Sequence, residues 1–194
     1  AVQRDSGEND VNIIGYCFGG VLSIMYASIF AGGPLKNLVC FTTPIDFREM
    51  KLFQSFSDRR YFDVDRLVDS IGNVPPEMIV TSFDMLRPAA RAMSQVQLWE
   101  NIWNDEYVKS YRMMDKWGAD TLPLAGEYFR AITKDLMWDN KLYNDTMSVG
   151  GRAVDLSKIK VPMLHAMAEH DHIVPYEAAK HLIAKVGSAD KQEI

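Results

Sequence analysis

The stretch that most restricts the fold is VNIIGYCFGGVLSIMYASIF, Val11 to Phe30. Val11 to Ile14 have the branched, apolar character of a strand, and Val21, Leu22, Met25, Ile29 and Phe30 recur at helical spacing. Between them lies Gly15-Tyr16-Cys17-Phe18-Gly19-Gly20, so the pattern predicts strand, sharp turn and helix with a cysteine at the apex. A G-x-S-x-G nucleophile elbow has this form: the turn is so tight that the flanking residues must be small, and the central side chain stands exposed at the head of a helix. Gly15 and Gly19 are the expected elbow glycines around Cys17. A thiol there meets unpaired backbone N–H groups and the positive end of the helix dipole, both of which favour the thiolate. Cys17 is therefore the candidate nucleophile, and the Phe18 N–H the candidate oxyanion donor. Cys40, in Leu38-Val39-Cys40-Phe41, lacks flanking glycines and reads as a small core residue.

The surrounding pattern predicts an α/β fold, an α/β-hydrolase-like parallel sheet with a mainly helical insertion. Arg4 to Asp10 read as a loop feeding the first strand, Gly32-Gly33-Pro34 stop the elbow helix, and Leu38 to Thr42 form a second strand. Strand, helix and strand at this spacing make a βαβ unit, so residues 1–45 are assigned to the core. Residues 46–149 then change character. Val64, Leu67, Val68 and Ile71, and again Trp99, Ile102, Trp103 and Tyr107, keep helical spacing without a strand pattern. An insertion at that point is expected to cap the C-terminal edge of the sheet and lie over Cys17. Trp99, Trp103, Trp117 and Trp138 are expected in its core. Residues 150–194 return to the α/β core, with a strand over Val161 to Met167, a helix over Tyr176 to Val186 and a further strand opening at Lys191. Asp171, in the loop after a strand, stands where the acid of a nucleophile–acid–histidine order belongs.

That order makes the histidines informative. A cysteine nucleophile needs a base, normally an imidazole oriented by a carboxylate. His170 and His172 adjoin Asp171 too closely to be the base it orients; His165 falls within a strand and His181 on the last helix. The expected base therefore lies beyond Ile194. An elbow at residue 17 also comes early for a hydrolase sheet, so the expectation is of a fragment incomplete at both ends, lacking the loop that donates the second oxyanion N–H.

Composition excludes other classes. A net charge of −5, a pI near 5.4 and the absence of a Lys/Arg block give no electrostatic case for nucleic acid. Two cysteines do not make a disulfide framework, and no apolar run reaches membrane-spanning length, so the cytoplasm is the expected compartment. The histidines and Asp171 lack a metal-ligand spacing, and no glycine-rich phosphate loop is present; neither a metal nor a nucleotide cofactor is expected.

The elbow, Tyr61-Phe62-Asp63-Val64-Asp65 with Gly72-Asn73-Val74-Pro75-Pro76-Glu77-Met78, and Asp171-His172-Ile173-Val174-Pro175 together resemble the catalytic subunit of poly(3-hydroxyalkanoate) synthases, especially the short, two-subunit kinds. The resemblance runs along essentially the whole chain. It implies that Cys17 carries the acyl group, that Asp171 is the acid and that His172 stands beside that acid without a base role. It also implies 3-hydroxyacyl-CoA and a growing polyester as substrates, a second synthase subunit and a homodimer in the intact protein, and residence at the surface of polyester granules. Dienelactone hydrolases are similar in the elbow but lack the helical insertion between Cys17 and Asp171. A cysteine hydrolase of that type, and a non-catalytic binding fragment, are the alternatives.

Overall fold

Val11–Tyr16 form strand β1, which pairs in parallel with β2, Leu35–Phe41. The computed structural model describes all residues, 1–194. Between these strands the elbow helix α2, Phe18–Ile29, buries Val21, Ile24, Met25, Ala27 and Ser28, the last bonded to the Asp155 backbone, and α1, Val2–Ser6, precedes them. That short helix falls partly where the sequence predicts a loop. It bears no buried residue and ends at Gly7, whose φ of 75° gives the left-handed cap that glycine adopts freely. The chain divides into two compact units, Ala1–Phe62 with Thr133–Ile194, and Asp63–Ile132.

The first unit holds the sheet, in the order β1-β2-β5-β6, with every pairing parallel. Strand β5 is Met163–Ala166 and β6 is Lys191–Glu193. β5 is shorter than the apolar run that suggests it because Pro162 has no N–H to give a ladder. Leu38 and Cys40 of β2 and Met163 and His165 of β5 are buried, and β1 is an edge with Ile14 and Tyr16 exposed. The sequence predicts one helix over Tyr176 to Val186; the structure has two, α9 (Tyr176–Ala179) and α10 (Leu182–Lys185). The break is a turn at Lys180-His181, between the two helices. A short helix α3, Lys51–Phe56, a π-helical turn, Ile132–Trp138, and a two-residue hairpin, β3 (Ser148–Val149) with β4 (Arg152–Ala153), complete the peripheral elements. Gly150 and Gly151 both take positive φ, as a tight hairpin turn requires.

The second unit is helical: α4 (Val64–Ile71), α5 (Pro76–Asp84), α6 (Pro88–Glu100), α7 (Asp105–Ala119) and α8 (Gly126–Ala131). Its bounds are narrower than the helical stretch predicted over 46–149, since both flanks of that stretch belong to the first unit. Asp63 caps α4 by accepting the Arg66 N–H at 2.9 Å. Val64 and Val68 then pack towards α8, where a side chain on Gly126 would strike the Gly72 carbonyl and Val68. The four tryptophans depart from expectation. Trp99, Trp103 and Trp117 are each about three-quarters exposed: α6 and α7 bury none of their side chains, and Trp103 lies in the turn between them. Trp138 belongs to the first unit, half-buried beneath the Arg59 guanidinium.

Candidate active site

Cys17 follows β1 and caps α2 with φ 52° and ψ −119°, outside the ordinary regions for a residue with a side chain. Such strain persists only where the surroundings over-determine it. Here the Cys17 N–H donates to the Phe41 carbonyl at 2.8 Å, and the Cys17 carbonyl accepts from the Gly20 N–H at 3.0 Å. The turn therefore has no freedom to relax. A side chain on Gly15 would meet the Gly20 Cα at 2.5 Å, and one on Gly20 would meet Thr43 Oγ1 at 1.8 Å. Gly19 differs from expectation: nothing lies within 4 Å of where its Cβ would be. The steric requirement falls on Gly15 and Gly20, which face each other, and not on the symmetric partner in the motif.

This predicts opposite results for two neighbouring substitutions. Gly20→Ala overpacks a filled site and should destabilise by about 1–3 kcal/mol. Gly19→Ala adds a methyl to open space in a helix and should be neutral or stabilise by up to about 1 kcal/mol. Urea unfolding of both variants measures the difference, and equal losses would refute the assignment.

The thiol of Cys17 is half-buried, and burial raises its pKa above the ordinary cysteine value. The Phe18 N–H opposes that shift by hydrogen bonding to the sulfur, while the Asp171 charge adds to it. The net direction is upward, so the thiolate that the helix terminus would favour is outweighed by desolvation. Phe18 also packs edge-to-face on Phe47, with ring centres 6.4 Å apart.

Asp171 follows β5 in a turn that its own carboxylate closes. Oδ1 accepts the Ile173 N–H at 2.8 Å and the Val174 N–H at 3.0 Å. The influence of its charge on Cys17 brings these two predicted residues into one site across the sheet's C-terminal edge. His172, beside the acid, is exposed, as is His170. His181 packs edge-on against Tyr143 at 5.5 Å. His165 is fully buried, and its Nε2 accepts the Thr43 N–H at 3.4 Å. None of these contacts joins an imidazole to the Cys17 thiol or the Asp171 carboxylate. No group of three His, Cys, Asp or Glu side chains converges to hold a metal ion, and no helix is long and apolar enough to cross a membrane.

Cys40 is completely buried, and desolvation pushes its pKa to about 11. Iodoacetamide at pH 8 should therefore modify Cys17 faster than Cys40, by roughly tenfold or more, because only the thiolate attacks. Peptide mass spectrometry of the folded protein reads both rates, and comparable rates would refute this placement of the thiols.

Sequence motifs pointed to Cys17, Asp171 and the Phe18 N–H but not to Thr43, His165 or Gly20 as supports. The available signal for Thr43 was a threonine two residues beyond a strand end, in a chain with a second glycine, Gly20, after the elbow.

Comparison with known proteins bears on the fold and the family. The chain matches the α/β-hydrolase fold family over residues 1–194. It is 31% identical over 195 residues to the poly(3-hydroxyalkanoate) polymerase subunit PhaC of Haloferax mediterranei, covering 100% of this chain and 39% of the relative. It is 36% identical over 176 residues to the PhaC subunit of Thiocystis violacea, covering 90% of this chain and 49% of that one. The chain thus spans less than half the length of these two relatives. Among solved structures, an N-acyl homoserine lactone degrading enzyme, Est816, superposes with a TM-score of 0.53 at 14% identity, covering 100% of this chain and 62% of the other, a likeness of fold alone. With a parallel sheet, a strained cysteine elbow and the match along its whole length, the chain belongs to the α/β-hydrolase fold family, where its sequence relatives include poly(3-hydroxyalkanoate) polymerase subunits.

Proposed function

We propose that this chain carries the nucleophile and the acid of an acyltransferase that polymerises 3-hydroxyacyl-CoA into polyhydroxyalkanoate. The observation that carries the proposal is a cysteine, not a serine, on a strained elbow beside an acid loop, in a chain similar along its length to polymerase subunits. The Cys17 thiol gives its proton to a base and its sulfur attacks the thioester carbonyl, whose oxyanion takes the Phe18 N–H. The bond to the coenzyme A sulfur breaks, and coenzyme A leaves with the proton. The hydroxyl of a second 3-hydroxyacyl unit then attacks an acyl-enzyme carbonyl; a C–O bond forms, the C–S bond to Cys17 breaks and the thiol recovers a proton. Cysteine suits this cycle because its acyl-enzyme is itself a thioester, close in energy to the donor.

Asp171 serves to orient the imidazole base. All four histidines of this chain are engaged elsewhere or exposed, so the base is proposed to come from outside these 194 residues, and the chain alone to be inactive. The unpaired β1 edge, with Ile14 and Tyr16 exposed, supports further strands beside it in the intact protein. A second synthase subunit, a homodimer and residence in the cytoplasm at polyester granules belong to the same proposal, with a coenzyme A thioester as substrate and no cofactor.

The test is to supply radiolabelled 3-hydroxybutyryl-CoA to the intact protein. Label on the Cys17 peptide, followed by insoluble polymer and free coenzyme A, is the expected result. Free 3-hydroxybutyrate would indicate a hydrolase of the dienelactone type instead, and no label at all a binding role. Substantial Cys17-dependent release of coenzyme A by the 194-residue chain alone would show that one of its own histidines is the base.

A further inference from the structure

Two residues with side chains take positive φ at the C-terminal edge of the sheet, Cys17 at 52° and Thr42 at 42°. They follow Tyr16 and Phe41, which face each other across the β1–β2 pair. For a β-branched residue such as Thr42 this conformation is a genuine outlier and must be held from outside. Its own N–H donates to the Ala166 carbonyl at 2.8 Å. The next residue, Thr43, is fully buried, and its N–H donates to Nε2 of His165 at 3.4 Å. The Thr43 hydroxyl donates back to the Phe41 carbonyl at 3.3 Å, the same oxygen that accepts the Cys17 N–H at 2.8 Å. Thr43 also fills the space against Gly20, at the head of the nucleophile helix.

These contacts form one connected path from β5 to the nucleophile. Because Nε2 accepts, the neutral ring carries its proton on Nδ1, and that buried nitrogen has no hydrogen-bond partner. A buried unpaired donor is costly, and an apolar residue at position 165 would avoid the cost. What the imidazole provides in return is an acceptor for a buried backbone N–H beside the strained turn.

We propose that His165 is a positioning residue for the nucleophile. By accepting the Thr43 N–H it fixes the strained end of β2, from which the Phe41 carbonyl holds the Cys17 backbone and Thr43 braces the head of the helix. The histidine touches no substrate and moves no proton in the reaction; it acts through Thr43.

The role in turnover rests on the acyltransferase reading above, so the test has an arm that is independent of turnover. In the intact protein, His165→Met removes the acceptor at similar size, His165→Gln restores an oxygen near the place of Nε2, and Thr43→Val removes the hydroxyl while keeping the shape against Gly20. His165→Met should speed hydrogen exchange of the Thr43 amide by about tenfold or more and change the Cys17 alkylation rate at least twofold. His165→Gln should return both towards wild type. With 3-hydroxybutyryl-CoA, His165→Met and Thr43→Val should lower kcat roughly tenfold with KM within twofold, and His165→Gln should recover most of it. Unchanged Thr43 exchange and Cys17 alkylation in folded His165→Met, or equal defects in the Met and Gln variants, would overturn the proposal. Thr43→Val with wild-type alkylation and kcat would overturn it too, even if His165→Met failed to fold. A wild-type protein that releases no coenzyme A, but whose variants show the exchange and alkylation changes, would refute the acyltransferase reading and leave the positioning role supported.

Discussion

Asp171→Asn should make the Cys17 thiol easier to ionise and the intact protein slower. On the acyltransferase reading proposed above, the two effects run in opposite directions because the carboxylate acts on two groups. Its negative charge opposes a second negative charge on the nearby sulfur, and so adds to the upward shift that burial imposes on Cys17. An asparagine removes that charge while keeping an oxygen to accept the Ile173 and Val174 N–H groups, so the turn survives. The pH midpoint of Cys17 alkylation should then move down. Turnover should fall by about 10²–10⁴-fold, because an imidazole without its orienting carboxylate loses its value as a general base. Alkylation across pH and release of coenzyme A from 3-hydroxybutyryl-CoA measure the two effects separately. If the midpoint stays in place or rises, the charge of Asp171 does not act on Cys17; if turnover is retained, another group is the acid.

The upward shift of Cys17 also marks where motif logic stops. Strand, glycine-bounded cysteine and amphipathic helix were legible because period and turn chemistry are local properties of the chain. The same holds for Asp171, whose position after an apolar run and before Ile173-Val174-Pro175 marks a strand-end loop. The balance of forces on the thiol was not legible. A helix terminus can be read from sequence, but the burial that outweighs it arises from contacts with distant segments. The glycines divide in the same way. Gly15 and Gly19 are symmetric in the motif, yet the close approach in space is between Gly15 and Gly20, and Gly20 is confined by Thr43, just past the end of β2. Trp99 of α6 and Trp117 of α7 are not core residues for a related reason. Helical spacing shows that residues share a face, and says nothing about whether another element covers it.

His165 is the clearest case of a role set by tertiary structure, and it carries a large predicted effect on stability. In sequence it is one histidine of four, within a strand; in the fold it is wholly desolvated between β2 and β6, with Cys40 and Glu193 as its neighbours in register. Burial lowers its pKa from 6.5 to about 4. The unfolded chain therefore binds a proton at this ring as pH falls below about 6.5, whereas the native protein does not until about pH 4. Stability from this group is fully present above pH 6.5 and is lost progressively down to about pH 4, below which it changes no further. At about 1.4 kcal/mol per pH unit, the loss across that window is roughly 3 kcal/mol. His165→Met lacks the titration, so its stability should fall less steeply over the same range, even though it starts lower at pH 7. Urea unfolding of both proteins at pH 7, 5.5 and close to 4 gives the two slopes, and carboxylates common to both cancel in the difference. Parallel slopes would mean that the native ring takes up its proton as readily as the unfolded one, and that His165 is not held neutral by its burial.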